Sequence, residues 1–276
     1  MKPKNSKGGR LLTFLLFFFL YAPILVLIVF SFNSTKSRTV WTGFTFDWYV
    51  KLFNNDAILS ALYTTLLVSV LAAVLATVAG TFAAVGIFNM KRRNRELMLQ
   101  VNNIPVVNAD IITGVSLCIL FVFLGKILGF ELGFGTLLIA HVTFNIPYVI
   151  LSVLPKLRQL DNNLFEAAQD LGCSWMQAFF KVILPEIWPG VTSGLLMAFT
   201  LSIDDFVISY FTAGNGFQTL PIRIYNMTKK AVTPKMYALA TITFFVILAL
   251  LLISNLSDGD TSRQMKLARQ KKKAKS

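Results

Sequence analysis

Charge is what this sequence has least of. Only 14% of its 276 residues are Asp, Glu, Lys or Arg, where a water-soluble domain carries roughly a quarter. Acidic residues are the scarcer sign, 13 against 26 basic ones. Cysteine occurs twice, Cys118 in an apolar run and Cys173 in a polar stretch. That placement argues against a disulfide and gives no metal-ligand spacing. His141 is the single histidine, so there is no pair of metal-ligating histidines and no zincin motif. The pattern G-x-x-x-x-G-K-[ST] is missing, and with it a phosphate cradle. A nucleophile elbow is missing too. No catalytic residue and no metal site is therefore assigned. Solute moved uphill by this chain would draw its energy from a partner.

What is present is apolar length. Hydrophobic residues make up 55% of the chain, Phe alone occurs 25 times, and mean hydropathy is +0.65. A bilayer core of about 30 Å takes about 20 residues of helix. Six runs reach that length: Leu11–Phe32, Ile58–Phe88, Leu97–Leu124, Phe134–Leu154, Trp188–Phe211 and Tyr237–Leu256. The first follows Lys2, Lys4, Lys7 and Arg10, as a signal peptide would. It is longer than such a segment and has no clean small-residue cleavage site, so it is expected to be a retained span. The expected class is an all-α integral membrane protein of six spans. Residues 1–10 are an N-terminal segment, 11–256 the membrane domain with a long loop at 156–186, and 257–276 a basic tail.

Orientation follows from Lys and Arg. With the N-terminus inside, 18 of the 26 fall on inner segments. Among them are Lys91, Arg92, Arg93 and Arg95, and seven in the tail from Arg263 to Lys275. Basic residues favour the cytoplasm, so both termini are expected there. The tail reads as an orientation signal or a contact with anionic lipid, not as a nucleic-acid arm. The outer loop Ala213–Met236 carries Arg223, Lys229, Lys230 and Lys235 and no acid. It would repel cations or grip an acidic binding protein.

The long inner loop has the most ordered pattern. Asn163 and Glu166 are spaced for a capping box. Leu164, Ala168 and Leu171 then share a helix face. Gly172 stands where a left-handed C-terminal residue is wanted. Ser174 and Gln177 form a second capping box, opening a helix expected to end near Pro185. Glu166-Ala167-Ala168, three residues, Gly172, nine residues, Val182-Ile183-Leu184-Pro185 resembles the EAA motif of ABC importer permeases, with Val182 where the family form has Ile. The resemblance implies the type I importer permease fold. It also implies that Leu164–Gly172 is a coupling helix seated on an ATPase, with Glu166, Ala167, Ala168, Gly172, Leu184 and Pro185 as its signature. Without it, the loop reads as an ordinary amphipathic helix with Glu166 as a cap.

Acids inside spans cost about 2.5–3.5 kcal/mol at the bilayer centre and need a reason. Asp110 lies in span three after Pro105, and Asp204 and Asp205 lie in span five near Phe206, Tyr210 and Phe211. Adjacent positions of a helix point about 100° apart. One aspartate would line a path while the other binds a neighbouring helix or a backbone donor, or both would only hold helices together. Carboxylates beside aromatic faces suit a cationic solute. His141 reads as a hydrogen-bonded interhelical residue.

The stretches Thr200–Ser209, Phe217–Met227, Thr233-Pro234 and Ala238–Thr241 resemble the polyamine branch of these permeases. So do Phe32-Asn33, Trp41-x-Gly-Phe-Thr, Trp48-Tyr49, Asn54-Asn55-Asp56 and Asp110-Ile. This resemblance implies a spermidine/putrescine importer of the bacterial cytoplasmic membrane. Its parts would be a second, PotB-like permease, two PotA-like ATPases holding ATP and Mg, and an external PotD-like binding protein. An importer of ferric iron or another small solute, and a channel needing no ATPase, are the rival readings. The chain itself would bind no cofactor and no nucleic acid.

Overall fold

The computed structural model describes residues 7–35, 40–161, 163–230, 233–249 and 252. Among these the chain is built of helices: α1 Lys7–Phe30, α2 Asp47–Phe53, α3 Asp56–Asn89, α4 Arg92–Val107, α5 Asp110–Leu128, α6 Phe134–Leu157, α7 Asn163–Asp170, α8 Trp175–Ala178, α9 Leu184–Asp204, α10 Val207–Thr212 and α11 Leu220–Lys230, and α12 Pro234–Ala249. Five are long and apolar enough to cross a membrane: Arg10–Phe30, Asp56–Asn89, Asp110–Leu128, Phe134–Leu157 and Trp175–Asp204. Of the expected sixth span, Tyr237–Leu256, α12 covers the first part, and most of the rest lies outside the described residues. Lys2, Lys4, Lys36, Arg38 and the tail 257–276 lie outside them as well.

Two compact units form, one from residues before Ser60 with Arg223–Ile247, the other from Ser60–Ile222. In the first, the turn after α1 is organised by Asn33, which is fully buried. Its Nδ2 donates to Val40 O, its Oδ1 accepts from the Thr42 N–H, and its carbonyl accepts from Trp48 Nε1. Phe32 stacks on Phe44 and Tyr49 with centroids 5.2 and 5.1 Å apart. Asn55 Oδ1 accepts from the Ile58 N–H and caps α3. The first-loop residues noted above thus carry structural work.

The second unit is centred on α6 and α9, with α3 packed alongside. Ala73, Ala76, Val149, Val153, Ile187 and Ala198 are buried in one cluster. Small side chains let membrane helices approach closely where lipid gives no hydrophobic drive. Thr65 Oγ1 accepts from the Leu220 N–H at 2.7 Å and ties the start of α11 to α3.

Two expected spans are corrected. Leu97–Leu124 is not one helix: α4 ends at Val107, Asn108 and Ala109 are extended, and α5 starts at Asp110. Pro105 has no N–H to donate and disfavours helix in the residue before it, and the chain leaves the helix within three residues. α4 is only 16 residues long and opens on Arg92, Arg93 and Arg95, so the candidate span is Asp110–Leu128. Trp188–Phe211 is not one helix either. The helix begins at Trp175, ends at Asp204, and resumes at Val207. Nor does the helix opened by Ser174 stop at Pro185. A π turn, Phe179–Ile183, with the Leu184 N–H reaching back to Phe179 O, carries it into α9. The wider turn accommodates a proline that lacks its own donor.

Candidate functional site

Two places carry the residues singled out above: the loop from α7 to α9, and the break between α9 and α10.

In the loop, α7 is closed by its own backbone. The Cys173 N–H donates to Ala168 O and the Gly172 N–H to Gln169 O, the paired bonds of a Schellman end. This needs a left-handed residue, and Gly172 has φ +84°. A Cβ there would meet nothing within 4 Å, so the glycine is required by backbone conformation alone. Ser174 and Gln177 form the expected box: Ser174 N–H donates to Gln177 Oε1 at 3.0 Å, and Gln177 N–H to Ser174 Oγ at 3.4 Å.

The first box is not formed as expected. Asn163 is already helical, and its N–H donates to Asp161 Oδ1 at 3.1 Å. Asp161 is the cap, because its carboxylate lies two residues ahead of the free N–H. Glu166 is thereby released from capping. It lines a cavity of about 430 Å³ with Asp161, Asn89, Trp175 and Phe179. The shared face also divides, with Ala168 buried and Leu171 87% exposed. Ala167, Gly172 and Pro185 are exposed and Leu184 is half-buried. The Trp175 and Phe179 rings stack at 6.0 Å, and Phe179 stacks on Phe82 of α3 at 5.7 Å. This seats the loop against the bundle and leaves α7's outer surface open.

At the break, the chain turns extended at Asp205, with φ −67° and ψ 122°. The Asp205 carboxylate folds forward. Oδ1 accepts from the Ile208 N–H at 3.2 Å and Oδ2 from the Ser209 N–H at 2.7 Å. These are free donors of the first turn of α10, and a carboxylate at a helix N-terminus is favoured by charge as well. Only 7% of the Asp205 side chain is exposed. Asp204, one residue earlier, is exposed at the end of α9. The two aspartates are thus separated by a change of backbone direction, not by helical rotation.

His141 on α6 faces the same break and is buried. Its Nδ1 pairs with Ser202 Oγ at 2.6 Å and its Nε2 with Ser209 Oγ at 2.9 Å. Asp205 Oδ2 lies 3.5 Å from Nε2. Phe206 packs with Val68, Leu137 and Ile222, and its ring lies 5.5 Å from that of half-exposed Tyr210.

Asp110 belongs to the other break, as an exposed acid in the first turn of α5. One turn on, Gly114 abuts α10: a Cβ there would lie 3.1 Å from Phe211 and 3.4 Å from Val207 O. That close contact packs α5 against α10. Sequence reasoning missed Ser202, Ser209 and the cap at Asp161. The serines stand seven residues apart, two helical turns, and that spacing beside an aspartate pair was the available signal.

The family model for the binding-protein-dependent transport system inner membrane component matches residues 76–259. The chain is 39% identical over 243 residues to the spermidine/putrescine transport system permease protein PotC of Haemophilus influenzae, covering 88% of this chain and 93% of the relative. To the putrescine transport system permease protein PotI of Escherichia coli K12 it is 42% identical over 229 residues, 82% of each. A solved bacterial ABC transporter involved in import of the acidic polysaccharide alginate matches with TM-score 0.69 at 17% identity, over 92% of this chain and 94% of its own. The inward-facing MetNI methionine ABC transporter matches with TM-score 0.59 at 18% identity, over 74% and 95%. The fold is that of type I ABC importer permeases, and the chain belongs to the inner membrane components of binding-protein-dependent transport systems, as a permease related to PotC and PotI.

Proposed function

We propose that this inner-membrane permease passes polyamines, with Asp204 as the carboxylate that meets them. The observation that carries the reading is the division of labour at the break. Asp205 is spent on the N-terminus of α10, and Asp204 keeps an exposed carboxylate two residues from Phe206. Ammonium groups pair with carboxylates and are attracted to ring faces, and exposed Tyr210 offers such a face. The names of the PotC and PotI relatives point to the same solutes.

In this reading six spans cross the membrane with both termini in the cytoplasm. The chain has no active site. A PotB-like permease completes the pathway, two PotA-like subunits bind ATP and Mg, and a PotD-like protein delivers solute from outside. α7 seats on an ATPase subunit through the exposed surface around Glu166, Ala167 and Leu171. ATP binding then favours one of two arrangements of the bundle.

Reconstitute the whole transporter with its binding protein in liposomes, and measure ATP-dependent uptake of labelled spermidine and putrescine. Uptake is expected, and Asp204→Asn is expected to cut it about tenfold with assembly intact. Absence of polyamine uptake while another solute is imported would overturn the reading.

A further inference from the structure

We propose that His141 is a positioning residue for transport, a clasp that holds the two sides of the α9–α10 break in register and so fixes where Asp204 is presented. The proposal rests on Asp204 as the solute-meeting carboxylate.

Three observations carry it. First, both ring nitrogens are used, and each goes to a different side of the break: Ser202 in the last turn of α9, Ser209 in the first turn of α10. An imidazole has two hydrogen-bonding positions and no more. The whole capacity of the ring is thus spent on this discontinuity.

Second, the bridge spans the discontinuity. The backbone is extended at Asp205, between the two serines, so no unbroken run of helical hydrogen bonds holds Ser202 and Ser209 in register. The 2.6 and 2.9 Å contacts tie the two sides to one ring.

Third, the clasp is dry. His141, Ser202 and Ser209 are 1%, 2% and 0% exposed, so water does not replace a lost partner, and an unpaired polar group there is costly. Asp205 closes the same knot from below, bonded to two N–H groups of α10 and 3.5 Å from Nε2. Asp204 is the last residue of α9 and stands between Ser202 and Asp205, two members of the knot.

A histidine serving only as core filling would, when lost, reduce everything the protein does together. A clasp that presents Asp204 has a different signature: solute passage fails while ATP turnover continues. The measurement is the ratio of labelled spermidine taken up to ATP hydrolysed, in liposomes holding the full transporter and saturating liganded binding protein. His141→Ala is expected to lower that ratio about fivefold, the worth of a buried hydrogen bond, with assembled protein and ATP hydrolysis near wild type. His141→Gln, which keeps an amide within reach of one serine, restores part of it. In an Asp204→Asn background, His141→Ala adds nothing, because both act through one carboxylate.

An unchanged ratio in His141→Ala, uptake and hydrolysis falling in proportion, or additive effects with Asp204→Asn would each overturn the clasp. Should His141→Ala fail to assemble, Ser202→Ala and Ser209→Ala give the same readout, and no change in either overturns it. If Asp204→Asn itself leaves the ratio unchanged, the pathway reading has failed, and that result is distinct from an intact Asp204 effect without a His141 effect.

Discussion

The loop 163–185 and the break 202–209 are both interruptions of helix, built by opposite means. The loop is closed by neighbours: Gly172 to Gln169, Cys173 to Ala168, Ser174 to Gln177. Its acceptors and donors are at most five residues apart, and its outer side chains face solvent. The break is closed partly from a distance, by His141 61 and 68 residues away in sequence, and the side chains that close it, His141, Ser202, Ser209 and Asp205, are buried. One is therefore replaceable piece by piece, as a surface meant for a partner should be. The other is a knot, in which loss of one member strands the rest in a dry interior.

The contrast fails most visibly if buried and exposed aspartates cost the same. Asp205→Leu strips two acceptors from α10 and is expected to cost on the order of 3 kcal/mol. It should show as a lower melting temperature and little assembled transporter. Asp204→Leu, at an exposed site, should stay within about 0.5 kcal/mol. Equal melting temperatures would erase the distinction.

Next in size is Gly172→Ala. A left-handed φ of +84° costs a non-glycine residue about 1–2 kcal/mol. The strain is confined to the end of α7, so uptake should fall while ATP hydrolysis persists. A large fall in melting temperature would show that the loop is not separable from the core. Ser174→Ala removes one half of a box, worth about 1 kcal/mol or less at an exposed helix start. Amide exchange should quicken at 175–178 and be unchanged at 207–212. The smallest effect on stability, near zero, is expected for Leu171→Asp, since the side chain is 87% exposed. Its effect should appear only as weaker co-purification of the ATPase.

The same contrast explains what was legible in sequence. Gly172 and the Ser174–Gln177 box could be read because spacing along the chain sets them. Asn163 was misassigned because Asp161, two residues earlier, accepts the Asn163 N–H that the box would have given to Glu166. The α9–α10 break was illegible for a different reason. Ile203, Phe206, Val207 and Ile208 continue an apolar run as well as any helix does, and hydropathy does not register backbone direction. His141 reaching across from α6 exists only once α6 and α9 have packed. Pro185 misled in the reverse sense, since it reads as a stop, whereas a π turn carries the helix through it.

The most direct test sets Asp204→Asn beside Asp205→Asn in the complete transporter, with melting temperature and ATP-driven spermidine uptake measured on the same preparations. The expected result is a stable Asp204→Asn protein with uptake down about tenfold, and an Asp205→Asn protein whose melting temperature falls first, with uptake falling only as assembled protein is lost. Normal uptake in Asp204→Asn, or a stable Asp205→Asn protein that assembles and fails to transport, would contradict the assignment of the two carboxylates.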